Sequence, residues 1–230
     1  TTTGLVGGAA LSGVSYSAKG TNVGEYTGVF SGTPVIKVGD VDVTENYVIT
    51  NTPGTLTITK APATQNAVTA TPYSGVYDAV AHTITASAAQ AGSTLYYSKV
   101  GGTDATDWST TAPTWTDVTT AQTVYVKATN PNYVDALGNA TVTITQKPVT
   151  VTADNKSKVY GTDDPAFTAA VEGTLGNDTV VYTLSRAAGE NVGAYAITPA
   201  GDASQGNYSV TYAAGLLTIT KAPAEQNAVT

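Results

Sequence analysis

The chain has 230 residues and a net charge of −7; 41% of it is hydrophobic, 12% is charged, and there is no cysteine. The acidic balance excludes the basic face that nucleic acid demands and argues equally against anionic lipid; the missing thiols exclude disulfides and thiolate metal centres. No apolar run approaches the ~20 residues of a membrane helix, so no membrane insertion is expected in this segment.

Thr, Val, Ala, Tyr and Gly dominate, and the branched or flat side chains of Thr, Val and Tyr suit a pleated, half-buried surface. The glycine-rich Gly4-Leu5-Val6-Gly7-Gly8 opens no helix and reads as a turn. Asn22-Val23-Gly24 with Tyr26 follows, then a polar stretch, Lys37 to Glu45, that reads as a hairpin extension, then Asn46-Tyr47. Thr55-Leu56-Thr57-Ile58-Thr59 alternates polar and apolar, the mark of a half-buried strand. Thr141 to Thr145, Val149 to Thr152 and Leu217 to Thr220 alternate in the same way. Leu56, Ile58, Val142, Ile144, Leu217 and Ile219 are expected to face the core. Breakers recur every eight to twelve residues, which predicts β-sandwiches. The nearest approach to a helical pattern, Ala86 to Ala91, is too short and runs into Gly92.

Internal repetition organises the chain. Leu56 to Thr69 and Leu217 to Thr230 differ only at Thr64 and Glu225, 161 residues apart. Asn-Tyr occurs at 46–47, 132–133 and 207–208, each time with a Thr-Ile-Thr triplet starting 11 residues after the Asn. Asn191-Val192-Gly193 with Tyr195 repeats Asn22-Val23-Gly24 with Tyr26 at an offset of 169. Boundaries fall at Lys60, Lys147 and Lys221, each followed closely by proline, which fixes φ and extends its predecessor. This predicts a unit at 1–60 lacking the counterpart of Lys147 to Glu172, hence its opening strands; a different unit at 61–146; a second copy of the first kind at 147–221; and, at 222–230, the first strand of a further middle-type repeat. Short proline-bearing junctions predict an elongated rod. Tyr47, Tyr133 and Tyr208 recur at one register in unlike units, which favours corner tyrosines tying a loop to the backbone over a sugar-stacking platform.

The third unit carries Tyr160-Gly161-Thr162-Asp163-Asp164-Pro165, then Gly189-Glu190-Asn191-Val192-Gly193-Ala194-Tyr195, then Gly206-Asn207-Tyr208. This resembles the MBG domain of the Tyr-Gly-X type. The middle unit carries Tyr73-Ser74-Gly75-Val76-Tyr77-Asp78-Ala79, Tyr96-Tyr97-Ser98 and Val124-Tyr125-Val126-Lys127-Ala128. It resembles the YDG-type immunoglobulin-like domain, with Ala79 where that family has Gly. The resemblance implies an all-β tandem array of immunoglobulin-like and MBG sandwiches in a filamentous-haemagglutinin-like bacterial surface adhesin. The chain is therefore expected to be extracellular, on the cell surface or in a secreted fibre, with no catalytic residue.

Candidate sites are few. His82 stands alone, without metal-ligand partners, and is expected to lie exposed beside a strand. Asp154, Asp163 and Asp164 follow the Lys147 junction; if a metal is held, calcium on these oxygens is the expectation, against solvated turn carboxylates and no cofactor. A Lys-to-Asn crosslink would need Lys156 or Lys158 with Asn207 and Glu172. Trp108 and Trp115 flank a Thr-rich stretch bearing Pro113; they either pack a hairpin on the sheet or stack on a host or matrix glycan. The expected function is a structural stalk or scaffold repeat whose partners are neighbouring repeats or subunits of the same protein. The alternative is a glycan- or mucin-binding module acting through the middle unit.

Overall fold

The structure is a computed structural model and describes residues 1–223. The expected opening strand of a further repeat, at 222–230, lies outside the described residues from 224 onward. The fold is all-β, interrupted among the described residues by short 3-10 turns at Thr44–Asn46, Ala63–Asn66 and Ala105–Asp107.

In chain order the strands are β1 (Ala10–Ser17), β2 (Gly24–Thr27), β3 (Val29–Val38), β4 (Val41–Asp42), β5 (Thr55–Ile58), β6 (Val68–Thr71), β7 (Tyr73–Val76), β8 (Thr85–Ala88) and β9 (Thr94–Ser98). They continue with β10 (Thr119–Asn130), β11 (Tyr133–Thr145), β12 (Lys147–Ala153), β13 (Lys156–Val159), β14 (Ala169–Glu172), β15 (Thr183–Arg186), β16 (Gly193–Ala200), β17 (Ser204–Gln205), β18 (Tyr208–Ala213) and β19 (Gly215–Thr220). The chain folds into two compact units. One gathers residues 1–68 with 88–94 and 127–137, and the other holds the remaining described residues.

The stretch after Lys147 forms two four-stranded sheets, ordered β14-β12-β18-β17 and β13-β19-β16-β15. The period-two pattern of β12 turns Val149, Val151 and Ala153 inward and leaves Thr150 and Thr152 outside. Ile197, Leu217 and Ile219 meet Ala153 in the core, with Phe167, Leu184 and Tyr195 packed around them. Burying each large aliphatic side chain contributes roughly 1.5–3 kcal/mol. The middle segment forms the sheet β7-β11-β10-β9 and the pair β6–β8, with Val124, Val126, Val142 and Ile144 buried.

Residues 1–60 repeat part of the later stretch in the same register. Gly24 pairs with Ile58 and Tyr26 with Leu56 in β2–β5; Gly193 pairs with Ile219 and Tyr195 with Leu217 in β16–β19. The outcomes differ in burial. β19 also pairs with β13, so Leu217 is 0% and Ile219 1% exposed. β5 pairs with β2 alone among the described residues, and Leu56 is 37% exposed. The core position expected of Leu56 is thus corrected: its side chain lacks the covering strands that Leu217 has. The Lys37 to Glu45 extension is the β3–β4 hairpin, closed through Lys37 opposite Asp42. Between β1 and β3 the register shifts at Gly13, whose φ of 76° and contact with the Thr33 carbonyl exclude a side chain; a Cβ there would lie 2.3 Å from that oxygen.

Candidate functional site

Two of the repeated Asn-Tyr pairs, 132–133 and 207–208, sit where a strand begins, and their asparagines do the same work; Asn46 closes a 3-10 turn instead. Asn132 takes a hydrogen bond from the Ala61 amide on its backbone carbonyl, at 2.9 Å. Its side-chain Oδ1 accepts the Val23 amide at 2.8 Å, and its Nδ2 donates to Asn22 Oδ1 at 2.9 Å. Asn207 takes the Lys147 amide on its carbonyl at 2.9 Å. Its Oδ1 accepts the Val118 amide at 2.9 Å, and its Nδ2 donates to Asp117 Oδ1 at 2.9 Å. Each asparagine therefore joins three points: the backbone entering its own unit, a backbone amide of an earlier loop, and the oxygen-bearing side chain one residue before that amide. A carboxamide suits this because it carries an acceptor and a donor side by side. Val23 and Val118 are both half-buried at these corners.

The tyrosines beside them anchor loops. The Leu175 amide donates to the Tyr208 hydroxyl at 3.0 Å, and that hydroxyl donates to Asp178 Oδ2 at 2.6 Å. Burial holds the Tyr208 phenol above its ordinary range, and the Asp178 bond adds to the rise. Tyr47 meets the backbone amide and carbonyl of Val6 at 3.4 Å each. Val6 stands to Leu175 at the same offset of 169 residues. Both are corner tyrosines, as the sequence suggested. Tyr133 stands at the head of β11, its backbone bridged to Ala61.

Tyr77-Asp78-Ala79 forms a separate turn in the middle segment. Tyr77 is buried, and its ring meets that of Tyr208 edge-on at 5.6 Å. Asp78 Oδ1 accepts the Val80 amide at 2.9 Å, closing an Asx turn, and lies 2.9 Å from His82 Nε2. The His82 bond, followed by the Val80 amide, holds the Asp78 carboxyl below its ordinary range. Ala79 takes φ = 63°, and it is the only non-glycine residue with positive φ among those described. His82 is not exposed as expected. Its ring stacks on Tyr73 with centroids 4.0 Å apart, and its side chain is only 17% exposed. The apolar face of the imidazole packs while its nitrogen is paired, so no free histidine is left at the surface.

The acidic residues go to different partners. Lys158, buried in β13, places Nζ 2.7 Å from Asp164 and 2.6 Å from Glu190. Arg186 Nε lies 2.6 Å from Asp164 Oδ2, and the same guanidinium bonds Glu190 and the carbonyls of Ala187 and Gly189. Bonds to Arg186 and then Lys158 hold the Asp164 carboxyl low; bonds to Lys158 and then Arg186 do the same for Glu190. The Lys158 ammonium is raised by Asp164 and then Glu190. Asp154 accepts the Thr168 hydroxyl, and Asp163 is exposed. Among the described residues, no three Asp, Glu or His side chains converge as ligands. The crosslink arrangement is not formed: Lys158 is paired with carboxylates, and Asn207 holds Asp117.

Trp108 and Trp115 are both half-buried. Trp108 Nε1 donates to the Gly102 carbonyl at 2.8 Å. Trp115 exchanges backbone hydrogen bonds with His82, and the Lys99 ammonium lies 4.9 Å from its ring centroid. A depression of about 290 Å³ beside them is lined by Tyr97, Lys99, Asp107 and Pro113, with neither indole in its wall. A larger groove of about 690 Å³ lies within residues 1–54, against Leu11, Tyr16, Phe30, Ile36 and Tyr47.

Residues 149–218 match the family described as MBG domain (YGX type). No curated protein matches the chain. Among solved structures, the chain overlays on the N-terminal eight immunoglobulin domains of Down syndrome cell adhesion molecule at 14% identity and a TM-score of 0.26. That overlay covers 86% of this chain but 31% of the other, so the chain spans about a third of that structure. It overlays on Drosophila N-cadherin domains EC1-3 at 15% identity and a TM-score of 0.21, covering 66% of this chain and 65% of that one. For protocadherin gamma B2 cadherin domains 3-6 the values are 12% and 0.27, covering 94% and 68%.

Proposed function

We propose that the chain is a stalk or scaffold segment of a secreted bacterial surface adhesin or extracellular fibre, built from tandem sandwich units and performing no catalysis. The observation that carries this reading is the asparagine corner, which occurs in two unlike units with the same three bonds. The same chemistry is spent twice on holding polypeptide to polypeptide. The MBG match over 149–218 supports the reading for the third unit. Its partners are neighbouring repeats of the same protein, and its place is outside the cell.

The polar side chains that gather do so with one another. The tyrosine hydroxyls hold loops, and the Lys158–Arg186 pair is answered by Asp164 and Glu190. A glycan array probed with the chain is the test. The reading expects no specific signal. A specific signal lost in Trp108→Ala or Trp115→Ala would replace the stalk with a binding module.

A further inference from the structure

We infer that the Asn191-Val192 corner is a receiving site for the Asn-Tyr asparagine of another unit of the middle kind. The inference rests on the repeat reading above, but not on the stalk role. Asn22-Val23, at the matching position in residues 1–60, receives Asn132 from the middle unit. The receiving turn is built identically in both places. Tyr26 donates its hydroxyl to the Asn22 carbonyl at 2.8 Å, and Tyr195 donates to the Asn191 carbonyl at 2.9 Å. β2 and β16 begin two residues after each asparagine and pair with β5 and β19 in the same register.

The occupied and open corners differ where an occupant would matter. Val23 is half-buried, whereas Val192 is 50% exposed. No described residue accepts a hydrogen bond from the Val192 amide. The tyrosine-held turn therefore presents one amide donor and one carboxamide side chain, the same pair of groups as Asn22-Val23, with nothing described upon them.

The occupant follows from the alternation. A first-kind corner, Asn22-Val23, takes a middle-kind asparagine; the middle-kind corner, Asp117-Val118, takes a first-kind asparagine, Asn207. Asn191-Val192 is a first-kind corner and so fits a middle-kind asparagine, not Asn46 of a second copy. The strand β19 runs into Lys221-Ala222-Pro223 as β5 runs towards Lys60-Ala61-Pro62, where the Ala61 amide meets the Asn132 carbonyl.

The test is a chain of residues 1–230 continued directly by a copy of residues 70–146, which extends the Leu217 to Thr230 block as Leu56 to Thr69 is extended. Amide exchange at Val192 is read by NMR in both chains. Exchange is expected to slow at least about fivefold in the extended chain, the effect of one added hydrogen bond. It should return to its original rate when the appended counterpart of Asn132 is changed to Ala. An unchanged Val192 rate beside a protected appended strand overturns the inference. Should the appended copy fail to fold, Asn132→Ala in the 230-residue chain decides: Val23 exchange must accelerate by a similar factor while Val192 stays constant, and an unchanged Val23 overturns it. Protection of Val192 that rises with concentration in the unextended chain would assign the corner to a second copy and overturn the stated occupant.

Discussion

Asn207 donates from Nδ2 to a carboxylate oxygen of Asp117, while Asn132 donates to a carboxamide oxygen of Asn22, at the same 2.9 Å. The two latches share geometry and differ in partner charge. Asp substitution should separate them. Asn207→Asp removes the donor and sets two carboxylates together, so it should destabilise by more than Asn207→Ala, itself expected to cost about 1 kcal/mol. Asn132→Asp faces a carboxamide that can turn its NH₂ toward the new carboxylate, so it should cost less than Asn207→Asp. Chemical denaturation of the three variants at neutral pH checks the order; equal effects of the two Asp variants would refute the shared-latch geometry.

Ala79 occupies the left-handed region with φ = 63°. For an L-residue that conformation costs about 1 kcal/mol or more, and a β-branched side chain fares worse. Ala79→Gly should hold or raise stability, because relief of the backbone is partly offset by a freer unfolded chain. Ala79→Val should lower it by about 1–2 kcal/mol. Thermal melts of both variants are the check.

The unequal burial of Leu217 and Leu56 predicts unequal truncation costs. Leu217→Ala should cost about 2–5 kcal/mol, since it opens a cavity in a closed core. Leu56→Ala, at a 37% exposed position, should cost less than half as much. Hydrogen exchange should also run faster across 55–58 than across 215–220, because β5 has one described partner strand and β19 has two. Equal protection of the two segments would contradict the pairing described for β5.

Much of this was legible in the sequence. Alternation placed Val142, Ile144, Leu217 and Ile219 in the core, and the recurrence of Asn-Tyr marked the corners. What recurrence could not tell was which half of the pair reaches outward. The hydroxyls of Tyr47 and Tyr208 serve their own loops, and it is Asn132 and Asn207 that bridge to earlier ones. The repeated Asx-Val at 22–23 and 117–118 was the available signal, but its two halves lie 109 and 89 residues from the amides' acceptors, a separation no local pattern encodes. The ion cluster was hidden for a similar reason. Lys158, Asp164, Arg186 and Glu190 are spread over three segments, and the sheet order β13-β19-β16-β15 gathers them. His82 was misplaced because stacking on Tyr73 depends on a turn that Ala79 closes.

That ion cluster gives the stability a pH profile. The carboxyls of Asp164 and Glu190 are held below their ordinary 3.8 and 4.5, so their contribution is complete above those values and is lost as pH falls through the lower, folded ones. Lys158 is raised above 10.5, so its contribution is complete below that and is lost only as pH climbs through the higher value. Stability carried by the cluster should be flat between about pH 5 and pH 10 and fall on either side. Asp164→Asn should lower the melting temperature at neutral pH and shrink the further drop on acidification to about pH 3. An unaltered acid limb in the variant would show that the cluster does not contribute to it.

Pulling a single molecule from its two ends tests the proposal that the chain is a tandem of separately closed β units. The account expects successive unfolding events at rising extension, with the unit at 147–221 releasing up to about 260 Å, the reach of its extended chain. One event releasing about 800 Å, the whole chain at once, would contradict it.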